Sequence, residues 1–248
     1  VDDPPELALI PDQRLLNGPV FAPVDLADYI TEVDGDGLDI LVSGQDELTV
    51  TVNGRVLTIE PPVGTWSGSE TITVRIVDQT AASLEAERSF VAANWYGNTV
   101  TLEKGWNAVA FPIRPDFASA AAVAAATDGR IYRWNGAGYD TVDAENPAFA
   151  PGDGYWLYVP GGMEGEYEIL GHLPASFEVT LAAAGLSLVG PLGVGGECAL
   201  PDGVARGDVF RYSPPRLRLL PLEEGETLKV GQAYWIRNAG PEMTVPLP

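Results

Sequence analysis

The stretch GDGYWLYV at 152–159 returns as GQAYWIRN at 231–238, and the likeness extends upstream of both. VTLEKGWNAVAFPI from Val100 is answered by VTLAAAGLSLVGPL from Val179, and GRIYRWNGAGY from Gly129 by GDVFRYSPPRL from Gly207. In chain order the three blocks recur at offsets of 79, 78 and 79 residues, so the register survives with only small loop changes. This is an internal duplication, and it requires two similar units, here residues 100–172 and 179–248. Each copy has only about 70 residues and a core that is marginal alone. The two are therefore expected to pack against each other about a pseudo-twofold axis, with Trp156 and Trp235 in equivalent places. Neighbours in a strand point to opposite faces, so Tyr155 and Trp156 cannot both enter one core.

Each copy reads as short strands: a glycine-centred opening strand, an aromatic strand, a return strand and the Tyr-Trp strand. The first copy alone carries a helix signal near 116–128, DFASAAAVAAATDG, with Asp116 as N-cap and Gly129 just beyond the end. The second has GGECALPDGVARG instead, a loop. Before residue 98 the pattern differs. DELTVTVNGRVLTIE places Asn53-Gly54 between two alternating strands, a hairpin signal. Pairing Val52 with Arg55 across that turn sets Val50 opposite Leu57 and Leu48 opposite Ile59, all on one face. ETITVRIVD turns Ile72, Val74 and Ile76 inward, and GLDILVSG reads as a further strand. With 28 glycines and 21 prolines punctuating short strands, the chain is expected to be all-β. Residues 1–94 form a sandwich, and 98–248 a duplicated β-domain, a pseudo-twofold sandwich or barrel.

IPDQ, DLADYITEVDGDGLDILVSGQDELTVTVNGRVLTIEP and WSGSETITVRIVD, within residues 5–92, resemble the cadherin-like, immunoglobulin-fold repeats of bacterial surface and secreted proteins. That resemblance implies a spacer or adhesion module, often calcium-associated. The blocks GWN, IYRWNG and GDGYWLYV resemble repeats of large bacterial extracellular proteins. They imply an extracellular or cell-surface location and bring no catalytic residues.

The chain has 35 acidic and 14 basic residues, net −21, which repels nucleic acid and anionic membrane surfaces. No run of 18 apolar residues exists, so no membrane insertion is expected of this chain. Cys198 is alone, which excludes an intramolecular disulfide. His172 is the single histidine, read as a loop residue between the copies, and no G-x-S-x-G elbow accompanies it. The chain is expected not to be an enzyme. Calcium is the one cofactor raised, with Asp34, Asp36 and Asp78 as candidate ligands, although Gln45 stands where an EF-hand loop would need glutamate. An Asp-Gly turn accounts for the same residues. Rows of Trp and Tyr on a sheet face stack sugar rings, and Trp134 and Tyr139 are the candidate pair.

The leading expectation is a non-catalytic segment of an exported bacterial protein acting in adhesion, display or assembly, with a protein or glycan partner at a cell surface. The alternatives are a carbohydrate-binding module attached to an enzyme elsewhere in the polypeptide, and a fibre subunit that self-associates through sheet edges.

Overall fold

A computed structural model describes residues 3–62, 66–80, 83–174, 176–192, 196–214 and 218–247. Over the described residues the chain is all-β with one ten-residue α-helix, and it divides into two compact units, Val1–Trp95 and Tyr96–Pro248.

In the first unit β1 (Gln13–Leu16), β2 (Leu38–Ser43), β5 (Gly68–Asp78) and the opening part of β6 (Glu85–Leu102) form one sheet. There β1 runs parallel to Ala92–Trp95, while β2 and β6 flank β5 antiparallel. The second sheet is the hairpin of β3 (Thr49–Asn53) and β4 (Val56–Glu60), with Val24–Asp25 at its edge. The inward alternation of Ile72, Val74 and Ile76 is complete, each side chain being fully buried beside Leu57, Ile59 and Trp66. Glu70 ties the bend leading into the hairpin to β5, its carboxylate accepting from the backbone N–H groups of Asp46, Glu47 and Leu48 at 2.8–3.4 Å.

The hairpin register differs from the expected one by two residues. Val52 lies opposite Leu57 and Val50 opposite Ile59, and Gly54-Arg55 forms the turn. Gly54 sits there at φ 64°, the positive angle that a tight hairpin asks of its first central residue. A shift of two residues preserves the side-chain period, so the same apolar residues still share the core face.

The second unit contains the two copies. In the first, β7 (Gly105–Ala110), β10 (Gly154–Val159), β8 (Ile131–Trp134) and β9 (Tyr139–Thr141) lie side by side in that order. Their inner face packs on Tyr96–Leu102 of β6, on β11 (Gly165–His172) and on helix α1 (Phe117–Ala126). Asp116 caps α1, its Oδ1 accepting from Ser119 N at 2.7 Å. In the second copy β13 (Gly185–Val189), β16 (Tyr234–Asn238), β14 (Val209–Ser213) and β15 (Arg218–Pro221) repeat the order, over β12 (Glu178–Leu181) and β17 (Met243–Pro246). Each copy keeps its own core, and no described sheet closes on itself, so the arrangement is a sandwich and not a barrel. Pro215, Arg216 and Leu217 of the repeated block GDVFRYSPPRL lie outside the described residues.

The equivalences are visible in single bonds. The Tyr155 hydroxyl accepts from Ala150 N at 2.8 Å, and the Tyr234 hydroxyl from Lys229 N at 2.8 Å. In the opening strand the alignment shifts by one residue. Val109 pairs with Tyr155 and Val189 with Tyr234, which sets Trp106 against Leu186, whereas the sequence alignment sets it against Gly185. The extra residue is Ala184, held at φ 44° in the turn before β13.

Candidate functional site

Alternation along the Tyr-Trp strands sends Tyr155 and Tyr234 into the separate cores and turns Trp156 and Trp235 to the opposite face. That opposite face is where the copies meet. Bridges join Val109 to Gln232 and Asp153 to Val189, which are the same pair seen from either copy. Ala110 N donates to Gly231 O at 3.3 Å, and its counterpart Gly190 N donates to Gly152 O at 3.0 Å. The backbones come so close that a Cβ on Gly154 would lie 2.4 Å from Leu188, and one on Gly190 2.4 Å from Ala110. Around these bridges Ala110, Leu188, Ala233 and Trp235 form an interface core, with Trp134, Trp156 and Phe210 packed against it.

Two aromatic contacts complete the pseudosymmetry. Trp134 meets Trp235 edge-on at 5.1 Å, and its equivalent Tyr212 meets Trp156 edge-on at 4.7 Å. The surroundings then diverge. Beside Trp235, Trp134 donates its indole N–H to Leu186 O at 3.0 Å. Beside Trp156, the smaller Tyr212 leaves an open cleft of about 580 Å³ lined by Trp106, Tyr132, Tyr139, Trp156 and Tyr212. At the rim positions the second copy has Leu186 for Trp106, Phe210 for Tyr132 and Leu219 for Tyr139. The hydroxyl- and N–H-bearing rings therefore belong to one side of the axis.

The cleft wall is packed ring against ring. Trp106 touches Tyr132, Trp156 and Tyr158 at centroid distances of 5.8, 6.3 and 5.2 Å, and the Arg130 guanidinium covers the Tyr158 ring at 4.1 Å. The Trp156 indole N–H is buried and has no acceptor among the described residues. Beneath the sheet, burial pushes the Tyr155 hydroxyl up to about 12, and shifts Tyr234 in the same direction. Desolvation also raises Asp153, against the opposing pull of Arg133 at 3.8 Å.

Of the expected sugar-stacking pair, Tyr139 lines the cleft. Trp134 touches it at 5.2 Å but is committed to the interface between the copies. Trp106, Tyr132, Trp156 and Tyr212 join the cleft unannounced. The usable signal was the alternation that turns Trp156 outward, carried across to its neighbours once strand pairing is known.

Of the expected calcium ligands, Asp34 and Asp36 converge with Glu32, one oxygen from each lying within 4.8 Å of the others. Asp78 is not in that group. It continues the buried face of β5, where its Oδ1 accepts from Thr80 N. Asp34 already accepts from Asp3 N at 2.6 Å, and Glu32 from Asp34 N at 2.9 Å. Calcium takes about six to eight oxygens, and carboxylates can supply one or two each beside carbonyl and water oxygens. His172 ends β11 opposite Arg114 and is not a loop residue. Cys198 is buried, and burial raises its thiol.

No known family model matches the chain, and no curated protein sequence matches it. Among the described residues no helix is long and apolar enough to cross a membrane.

Proposed function

We propose that this chain is a non-catalytic segment of an exported cell-surface or secreted protein, and that its second unit binds carbohydrate for adhesion or display. The aromatic cleft carries this reading. Its volume of about 580 Å³ lies within the range of about 300–1,000 Å³ usual for small-molecule sites. Indole and phenol faces match the C–H faces of pyranose rings, and the hydroxyl and N–H edges supply hydrogen bonds to ring substituents. None of the described lining side chains is a carboxylate, imidazole or thiol, and stacking and hydrogen bonding are the chemistry these rings supply. The cadherin-like resemblance of residues 5–92 agrees with a surface setting for such a module.

A glycan array probed with the whole chain and with Trp106→Ala tests the proposal. A set of glycans bound by the first and lost by the second is expected. Absence of any bound glycan, or binding unaffected by the substitution, refutes it.

A further inference from the structure

The aromatic cleft does not end at Tyr212. Tyr212 also lines a second groove of about 260 Å³, together with Thr101, Glu103, Arg211 and Gln232 among others. The two differ in chemistry. The first presents ring faces, and the second presents a hydroxyl, a carboxylate and an amide. The second is also built from both copies, since Thr101 and Glu103 precede β7 while Arg211 and Gln232 flank the Tyr-Trp strand of the twin.

The polar groups are held for use. Asn107, itself buried, grips the turn that carries Glu103, accepting from Glu103 N at 2.9 Å and donating to Glu103 O at 2.7 Å and Gly105 O at 3.1 Å. Gln232 accepts from the Tyr234 hydroxyl at 3.2 Å, which leaves its amide N–H groups to donate. Arg211 is engaged by Glu226 at 3.2 Å. Among the described residues that leaves Glu103 as the lining charge outside any ion pair, on a chain of net −21, and an anionic sugar is disfavoured there.

We infer that the two grooves are successive subsites for one uncharged oligosaccharide. One sugar ring stacks in the aromatic cleft, and the next passes Tyr212 so that its hydroxyls meet Glu103 and Gln232. This rests on the carbohydrate reading of the cleft and extends it. The ligand is a chain of at least two units, and the second copy takes part in recognising it. Duplication on this account made a composite site, not two equal ones.

The test is a titration of the whole chain, by calorimetry and tryptophan fluorescence, with cello-, manno- and chito-oligosaccharides of one to six units. Affinity is expected to rise at least tenfold between one and three units for the series that binds. Gln232→Ala and Glu103→Ala, both at exposed positions, should remove that rise and leave monosaccharide binding within about twofold, with the native circular dichroism retained. Trp106→Ala should abolish binding at every length. A length dependence that is absent, or that survives both polar substitutions, overturns the two-subsite inference and leaves the cleft reading standing. If no oligosaccharide binds, or if a proline-rich peptide competes for the Trp106 surface instead, the underlying reading falls as well.

Discussion

Trp235→Ala should cost the second unit more than any other single aromatic truncation at the axis between the copies. The side chain is 5% exposed. A tryptophan buries roughly 150–250 Å², so at about 25 cal/mol per Å² its removal forfeits about 4–6 kcal/mol, less what alanine retains. Measured Trp→Ala changes of about 3–5 kcal/mol set the working range. The upper half is expected, because Leu188, Phe210 and Trp134 beside it are held by strands whose backbones already meet at Ala110 and Gly190, so little can move in to fill the space. Trp156 occupies the equivalent position but floors an open cleft, so Trp156→Ala should cost about half as much, roughly 1–3 kcal/mol. Guanidinium denaturation of the whole chain, followed by circular dichroism, measures both, with Leu57→Ala marking the transition of the first unit. A loss below about 1 kcal/mol at Trp235, or equal losses at the two positions, would refute the packing argument.

Three further outcomes are expected. Tyr155 is pushed up to about 12 in the fold, so its contribution is full below the unfolded value near 10 and is lost as pH rises through about 12. The amount is roughly 2–3 kcal/mol, and Tyr155→Phe should flatten that part of an alkaline stability profile; an unchanged slope counts against it. Asp116→Ala should destabilise the second unit by about 1 kcal/mol through loss of the helix cap, and Asp116→Asn should recover most of it in the same denaturation experiment. Glu70→Ala strips the acceptors from three backbone N–H groups and should lower the first unit's transition by about 1–3 kcal/mol, leaving the second unit's transition in place.

What could be read from the sequence was whatever depends on side-chain period. Ile72, Val74 and Ile76 alternate inward, and Tyr155 and Trp156 part to opposite faces, because a pleated strand offers no other choice. The hairpin core face survived a wrong turn assignment for the same reason: Asn53-Gly54 and Gly54-Arg55 are both two-residue turns, and they differ by an even slip. Properties that depend on pairing between distant segments were hidden. The cleft draws Trp106, Tyr132, Tyr139 and Trp156 from four strands of one copy and Tyr212 from the other. The alignment of Trp106 also required the insertion at Ala184 to be located first. Trp134 contacts both Tyr139 and Trp235, and its nearness to the NGAGY turn in sequence does not show the second of these contacts.

The meeting of the two four-stranded sheets sets a rule of parity on how such a chain can lengthen. Each copy has one finished side, closed over its own core, and one unfinished side bearing Ala110, Trp134 and Trp156 or their counterparts Gly190, Tyr212 and Trp235. The pair consumes both unfinished sides. A third copy added to the end would find no free counterpart and would carry a bare aromatic sheet into water, where it would seek another molecule. Growth by this module is therefore stable in twos, and an odd copy is an instruction to associate.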